Sequence, residues 1–513
     1  MNVGILDLLT AKAQTALDYA DCLVVRKQYA SLTPQAIAVW CRELGHHVYY
    51  ATYFGFGDPR ARLPNDLDVI FISAHTPRAP LAYALSKAYR LARTRTVIGG
   101  PHAKAYPRDC LRYFDLVVLE CDKDLIANII DNQFEPKSVV SSARPYQDAP
   151  LLEERVAEVK ASTFFMGRPY PGSSIPMLAS MGCPYTCNFC TDWNNPYRPL
   201  SNERLLADLR YAAKMFPGTM LAFDDPNFGV RFDEMMSVME MVPAGKRSPY
   251  GIESSLSNLR PSRLQRLQDT NCFAVAPGVE SWTDYSNKAG VGKAAGQAKL
   301  EQVIAHFHTL HEHIPYLQAN FIFGLDTDVG DDPFELTKEF IRRTPFVWTY
   351  INIPFAFGGT PLYDDFLSQG RILTKMPFTF YILPYLTLLL ENYDPVTYYQ
   401  KVLEVYSLIT SGEMLRQRFG SLMHPFAKYT NYIRTLFTRP IAKQMRAILH
   451  RLKTDKAFYA FHAGESQALP DVYVRLYQAQ LGRYAELVPV EDSQPVLASE
   501  RAASLLVNPV FGS

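Results

Sequence analysis

Met181-Gly182-Cys183-Pro184-Tyr185-Thr186-Cys187-Asn188-Phe189-Cys190 holds three of the chain's eight cysteines within eight residues, spaced C-x3-C-x2-C. Gly182 and Pro184 break regular structure, so a short irregular loop can aim three soft thiolates at one centre. Such thiolates select iron-sulfur clusters, zinc or copper(I). A structural zinc site wants four protein ligands, usually as two C-x2-C pairs, and the sequence has no second pair. Three ligands fit a [4Fe-4S] cluster with one open iron, which can bind a substrate or cofactor.

Outward from this loop, the 513 residues are too many for one core and predict several domains. The net charge of +1, with 20% charged residues, gives no general pull toward nucleic acid or an anionic membrane, and no nucleic-acid partner is expected. Met1 to Leu8 lacks a basic segment followed by a long apolar run, so no signal peptide is read there. No apolar run approaches the length of a membrane span. The longest, Phe380 to Leu390, contains Pro384 and reads as a buried helix or surface anchor. Cys22, Cys41, Cys110, Cys121 and Cys272 are scattered, which favours a reducing cytoplasm.

The fold class expected is α/β. Before the loop, strands and helices alternate: a strand over Asp21 to Arg26, a helix over Leu32 to Leu44, and strands at His47 to Tyr53, Leu67 to Ser73, Thr96 to Ile98 and Asp115 to Glu120. A helix lies over Leu81 to Ala92, and another starts at Asp122. Alternation of this kind predicts a doubly wound parallel sheet binding its ligand beyond the strands' carboxyl ends. Gly99 and Gly100, followed by Pro101 and His102, lie at such an end, where glycine lets a ligand approach the backbone. Residues 1–140 are read as this domain and 141–172 as a linker.

From Pro176 a second alternation begins. The strand Pro176 to Ser180 delivers the cysteine loop at its carboxyl end, the active face of α/β barrels. Ser201 caps a helix running to Phe216. Strands follow at Thr219 to Phe223, Ser248 to Ser254, Phe273 to Val279, Gln318 to Leu325 and Tyr350 to Phe355. Residues 173–372 are read as a partial (β/α)6 barrel. Residues 373–513 are read as a helical domain, with helices over Ile382 to Asn392, Pro395 to Ser411, Tyr429 to Thr454 and Val472 to Val488 and a loose last twenty residues. Tyr429 to Lys456 is basic and amphipathic: a solvated helix face packed on one side is the ordinary explanation, and peripheral contact with an anionic membrane the other.

Cys183, Cys187 and Cys190, with Phe189 before the last, resemble the radical S-adenosylmethionine (SAM) signature. The resemblance implies that the open iron chelates the amino and carboxylate groups of SAM. It extends to Asp224-Asp225, similar to an F-x-D-D pattern near the SAM amine; to Glu253 on the third strand; to Gly278-Val279-Glu280-Ser281, similar to a G-[IV]-E-S segment facing the ribose and carboxylate; and to the Gly324 loop beside the adenine. The preceding domain resembles the cobalamin-binding domain of one large class of these enzymes, which implies cobalamin near Gly99, Gly100 and His102. Two departures stand out: there is no D-x-H-x-x-G motif to replace the lower cobalt ligand, and Glu120-Cys121-Asp122-Lys123 stands where the family has Gly-Glu-Gly-Glu.

The resemblance implies an enzyme in which an electron from a flavodoxin or ferredoxin reaches the cluster and SAM is cleaved to a 5′-deoxyadenosyl radical. Cobalamin-dependent C-methylation of an unactivated carbon in a natural product or lipid is the leading expectation. The alternatives are a cobalamin-independent radical SAM cyclase, oxidoreductase or rearrangement enzyme with a degenerate first domain, and a corrinoid-binding sensor or assembly protein. A transfer-RNA thiomethylating enzyme would carry a second cluster domain and a basic RNA-binding domain, and neither is apparent.

Overall fold

The computed structural model describes residues 1–285 and 289–497 and the backbone of 507–509. The amino-terminal sheet is parallel, in the order β2-β1-β3-β4-β5-β6-β16, built from β1 (Asn2–Leu8), β2 (His47–Tyr53), β3 (Val69–Ala74), β4 (Arg95–Gly99), β5 (Leu116–Val118), β6 (Ser138–Ser141) and β16 (Val507–Pro509). Strands of a parallel sheet are covered on both faces and so read as near-continuous apolar runs. Alternate residues supply the two faces: Leu6, Ile70, Ile72 and Ile98 pack into one core, and Ile5, Val69, Phe71 and Val97 into another. Strand β1 has β2 on one side and β3 on the other, so the winding reverses between β1 and β3. The ligand crevice of a doubly wound sheet opens there.

Two expectations in this domain need correction. Asp21 to Arg26 is not a strand; a helix, Ala16–Val24, occupies the region, started by a capping box in which Thr15 and Asp18 each bond the other's backbone N–H. The first strand is instead Asn2–Leu8. The linker is also more than a connection. Its helix Val156–Ser162 wedges between the sheets, with fully buried Arg155 donating to Gln35 Oε1 at 2.8 Å and Pro176 O at 2.7 Å. Nearby Glu158 pairs with Arg42. The linker's charges are matched by partners distant in the chain.

The second parallel sheet runs β7 (Ser174–Met177), β10 (Met220–Phe223), β11 (Tyr250–Ile252), β12 (Cys272–Val275), β14 (Tyr316–Ile322) and β15 (Val347–Asn352), with β13 (Gly278–Glu280) prolonging β12 beside β14. The expected single strand Phe273 to Val279 is interrupted because Pro277 has no N–H to give the ladder. Between β7 and β10 a short antiparallel pair, β8 (Ser180–Met181) and β9 (Arg198–Pro199), closes the base of the cysteine loop.

Helices dominate the carboxyl-terminal part, including Pro395–Ile409, Pro425–Thr454 and Asp471–Leu481. The expected helix over Ile382 to Asn392 is absent. Pro384 cannot continue a helix, and the segment lies buried and extended, with Leu389 N–H donating to Arg371 O and Leu388 bridging Ile372. Of the twenty residues expected to be loose, 498–506 and 510–513 lie outside the described residues, while Val507–Pro509 adds an edge strand to the first sheet. No described helix is long and apolar enough to cross a membrane. The basic helix packs on one side through Ala442, Met445 and Ile448, and its first turns, with Tyr429 and Arg434, line a cavity.

Candidate functional site

The loop between β8 and β9 carries Cys183, Cys187 and Cys190, all three partly exposed, while the other five cysteines are buried. Gly182 turns the chain with φ +67°, and a Cβ there would meet Pro196 O at 2.3 Å, so the turn requires glycine. The loop is fastened on several sides. Cys183 N–H donates to Asn195 O, and Leu362 N–H to Asn188 O, both at 3.0 Å. Trp193 Nε1 donates to Gly359 O at 2.8 Å, and Tyr285 OH to Asn188 Oδ1 at 2.6 Å. The Asp192 amide donates to Cys190 Sγ at 3.4 Å. Among the described residues no three His, Cys, Asp or Glu side chains converge closely enough to hold a metal ion. The fit of a cluster therefore rests on the donor chemistry: three accessible soft thiols on one fastened loop at the barrel's carboxyl face.

Beside this loop, β10 ends in two acids with different employment. Asp225 is buried and accepts from Ala179 N at 3.0 Å and Ser180 Oγ at 2.5 Å, so it holds the start of the cysteine loop. Asp224 faces a cavity of about 770 Å³. Its surface opens to this cavity, deep in the protein, so burial pushes its carboxyl up to about 8, with the charges of Asp225 and Glu253 adding to the effect. Glu253, after β11, lines the same cavity. Asp224 thus offers an acceptor to a cation, whereas Asp225 is already committed to the cysteine loop.

Glu280 sits at φ +66°, a conformation that costs a non-glycine residue of order 1–3 kcal/mol and clusters at functional sites. Its carboxylate lies directly over Gly278, where a Cβ would come within 2.2 Å of Oε1 and turn the side chain away. Ser281 Oγ donates to Asp328 Oδ1 at 2.9 Å, and Asp328 Oδ2 accepts the Gly324 and Leu325 amides at 3.0 and 3.2 Å. One buried carboxylate thereby ties the Glu280 and Gly324 loops together. The helical part supports them from behind: Tyr398 OH donates to Phe323 O at 2.8 Å, Asn392 Nδ2 to Asp326 O at 2.9 Å, and Arg371 grips Asp326 with two bonds. Buried Lys299, donating to Thr283 O at 2.7 Å, is pushed down to about 8 by burial, against the opposing pull of Glu280.

The cavity continues into the crevice of the first sheet, lined there by Ile5, Ser73, His75, Gly99, Gly100 and Glu120. Gly100 has φ +89°, and a Cβ would press on Ser73 and Ala74 at 3.0–3.3 Å, whereas at Gly99 the nearest atom would be 3.8 Å away. Gly100 is thus needed by the protein, and Gly99 leaves room in the cavity. His102 does not belong with them. It is fully buried, bonded to Tyr83 OH at 2.6 Å and Thr76 Oγ1 at 3.4 Å, and packed on Tyr106 and Phe378. Burial pushes it down to about 3, so it stays a neutral core residue.

Sequence reasoning missed the join between the halves. Lys104 donates to Glu120 Oε1 at 3.0 Å and to Asp192 Oδ1 at 2.9 Å, linking the Gly99–Gly100 loop to the cysteine loop. Burial opposes ionisation of Asp192, but the ammonium beside it holds the carboxyl below its ordinary range. Also missed were His75, Asp328, Lys299 and Arg434. A weak signal existed for Lys104, which closes the loop Gly99 to Ala103, and for Asp328, four residues after Gly324; His75, Lys299 and Arg434 lie outside the site motifs.

With this geometry in view, comparison with known proteins gives three results. Residues 177–341 match the Radical SAM superfamily. The chain is 24% identical over 412 residues to the bacteriochlorophyllide d C-8(2)-methyltransferase of Chlorobaculum tepidum, covering 76% of this chain and 88% of that protein. It is also 24% identical over 323 residues to the hopanoid C-2 methylase of Rhodopseudomonas palustris, covering 60% and 58%. Among solved structures, the radical SAM methyltransferase TsrM from Kitasatospora setae, with cobalamin and a [4Fe-4S] cluster bound, shares the fold at a TM-score of 0.55 and 11% identity, covering 87% of this chain and 99% of that one.

Proposed function

We propose that this chain, a radical SAM protein with an amino-terminal cobalamin-domain fold, is a cobalamin-dependent C-methyltransferase acting on an unactivated carbon of an apolar natural product or lipid. The observation that carries the reading is the cavity shared by the carboxyl ends of two parallel sheets, one lined with glycine, apolar side chains and the paired Lys104 and Glu120, the other with Asp224, Asp225 and Glu253. When bound, the cluster and cobalamin supply, respectively, the electron that cleaves SAM and the methyl group.

Every other contribution comes from this chain. Cys183, Cys187 and Cys190 would hold three irons and leave the fourth for SAM. Asp224 and Glu253 meet its positive charge, and Glu280 and Ser281 stand at the strand end suited to its ribose and carboxylate. Asp328 fixes the Gly324 loop that would flank the adenine. Gly99 allows a corrin to approach the first sheet. Lys104 keeps the two halves in register, and the aromatic helical part covers the cavity and excludes water. The electron donor we assign is a flavodoxin or ferredoxin.

The test is anaerobic reconstitution with iron, sulfide and hydroxocobalamin, followed by incubation with a reductant, methyl-deuterated SAM and either bacteriochlorophyllide d or a pentacyclic hopanoid. The expected result is 5′-deoxyadenosine together with a substrate heavier by one labelled methyl group. Cleavage of SAM by protein that takes up no cobalamin and transfers no label would overturn methyl transfer in favour of the cobalamin-independent alternative.

A further inference from the structure

We propose that His75 is the axial partner of the cobalt, supplying from the end of β3 the lower-face nitrogen that the end of β1 lacks. The inference rests on the reading that the chain binds cobalamin. In a D-x-H-x-x-G motif the histidine follows the first strand; here that position reads Asp7-Leu8-Leu9, and Leu9 is buried against Phe54 and Ala30. Asp7 is buried too, its Oδ2 accepting Ser31 N at 3.2 Å. No donor is offered from β1.

His75 directly follows Ala74, the last residue of β3, which pairs with β1 in register Leu8 to Ala74. It therefore stands where the winding reverses and where a doubly wound sheet receives its ligand. Its ring is exposed, but to the cavity, among Ser73, Gly99 and Gly100. Its backbone is fixed, because Arg78 N–H donates to His75 O at 2.8 Å and opens the turn Thr76–Arg78. Among the described residues no hydrogen bond to its ring is found. His102 and His462, by contrast, are enclosed in the core and bonded to Tyr83 and Tyr473.

The other polar groups reaching the cavity from this sheet are committed. Lys104 is held by two carboxylates, Glu120 by Lys104, and the Tyr146 hydroxyl pairs with Thr33. The Cys121 thiol, pushed up by burial, stays protonated. Burial, with Arg78 adding, pushes His75 down to about 4, so at neutral pH its imidazole is in the form that binds metals.

The experiment uses the full chain made with ring-¹⁵N-labelled histidine, loaded with hydroxocobalamin, desalted and reduced to cob(II)alamin. EPR spectra are taken warm enough that a reduced cluster broadens out of view. A histidine nitrogen on cobalt splits the high-field cobalt lines into triplets in unlabelled protein and doublets in labelled protein. We expect this pair of results, and its loss in His75→Ala with bound cobalamin retained; should that variant not fold, His75→Gln gives the same readout. Triplets in the labelled protein would mean that the cofactor's own base is the ligand, and unsplit lines that no nitrogen is. Either overturns the assignment, as does a doublet that survives the substitution. Protein that leaves the desalting column without cobalamin overturns the cofactor reading and the assignment together, so the two failures are distinguishable.

Discussion

The two parallel sheets end on the same cavity with opposite chemistry. The first brings glycines, aliphatic side chains and one neutral imidazole, while the second brings Asp224, Glu253 and the two ends of the cysteine loop at Gly182 and Asp192. An electroneutral, glycine-lined end suits a large flat ligand lying against backbone. An acidic end suits a compact cation beside a metal cluster. A single fold principle, ligands at the carboxyl ends of parallel strands, thus produces two sites whose specificity comes wholly from the residues placed there.

Substitutions on one side should spare the other, and the largest effect belongs to the thiols. Cys187→Ala should lower iron from about four per chain to near none and abolish 5′-deoxyadenosine formation, with hydroxocobalamin uptake preserved; iron analysis and absorbance after desalting check both halves. If cobalamin uptake is lost as well, the two sites are not independent.

Next comes Asp224→Asn. Removing a charged acceptor from a cation costs about 1.5–3 kcal/mol, or roughly 10- to 100-fold in SAM affinity by equilibrium dialysis. The protonation of Asp224 gives a pH signature. A carboxyl raised from its ordinary range to about 8 binds more protons folded than unfolded across that interval. Its ionisation therefore lowers stability as pH rises from about 4 to about 8. In SAM-free protein, the melting temperature of Asp224→Asn relative to the parent should climb from pH 5 to pH 8. SAM binding to the parent near pH 7 should release a proton, seen as buffer-dependent binding enthalpy, and the variant should lose that release.

A smaller effect is expected at the bridge. Lys104→Met leaves Glu120 and Asp192 facing each other's charge at a site about one quarter exposed, which we place at roughly 1–2 kcal/mol after solvent screening. The melting temperature should fall by about 2–4 °C, and SAM cleavage should become uncoupled from methyl transfer. The smallest change in stability belongs to Gly99→Ala, within about 0.5 kcal/mol, because its Cβ meets nothing closer than 3.8 Å. Reduced hydroxocobalamin retention in that variant would locate the corrin against the loop, and unchanged retention would remove it from there.

Periodicity exposed most strands of both sheets, because buried parallel strands are continuous apolar runs whatever surrounds them. It failed at Asp21 to Arg26, where a local capping box outweighs an apolar run, and at Ile382 to Asn392, where Pro384 leaves the backbone to pair with Ile372. Motif reading treated Asp224 and Asp225 alike and offered His102 but not His75, since adjacent letters do not reveal which way a side chain turns at a strand end.

The cysteine loop, its glycine turn and the order of strand-end motifs were determined by sequence alone, because ligand spacing within a few residues and strand periodicity are local properties of the chain. Only the tertiary structure decided that Asp224 faces the cavity while Asp225 holds the loop, that Arg155 and Lys104 join the halves, and that His75 rather than His102 reaches the crevice. Each of those depends on which distant residues arrive as neighbours, and packing and desolvation then assign one buried polar group to a partner and leave another open to a ligand.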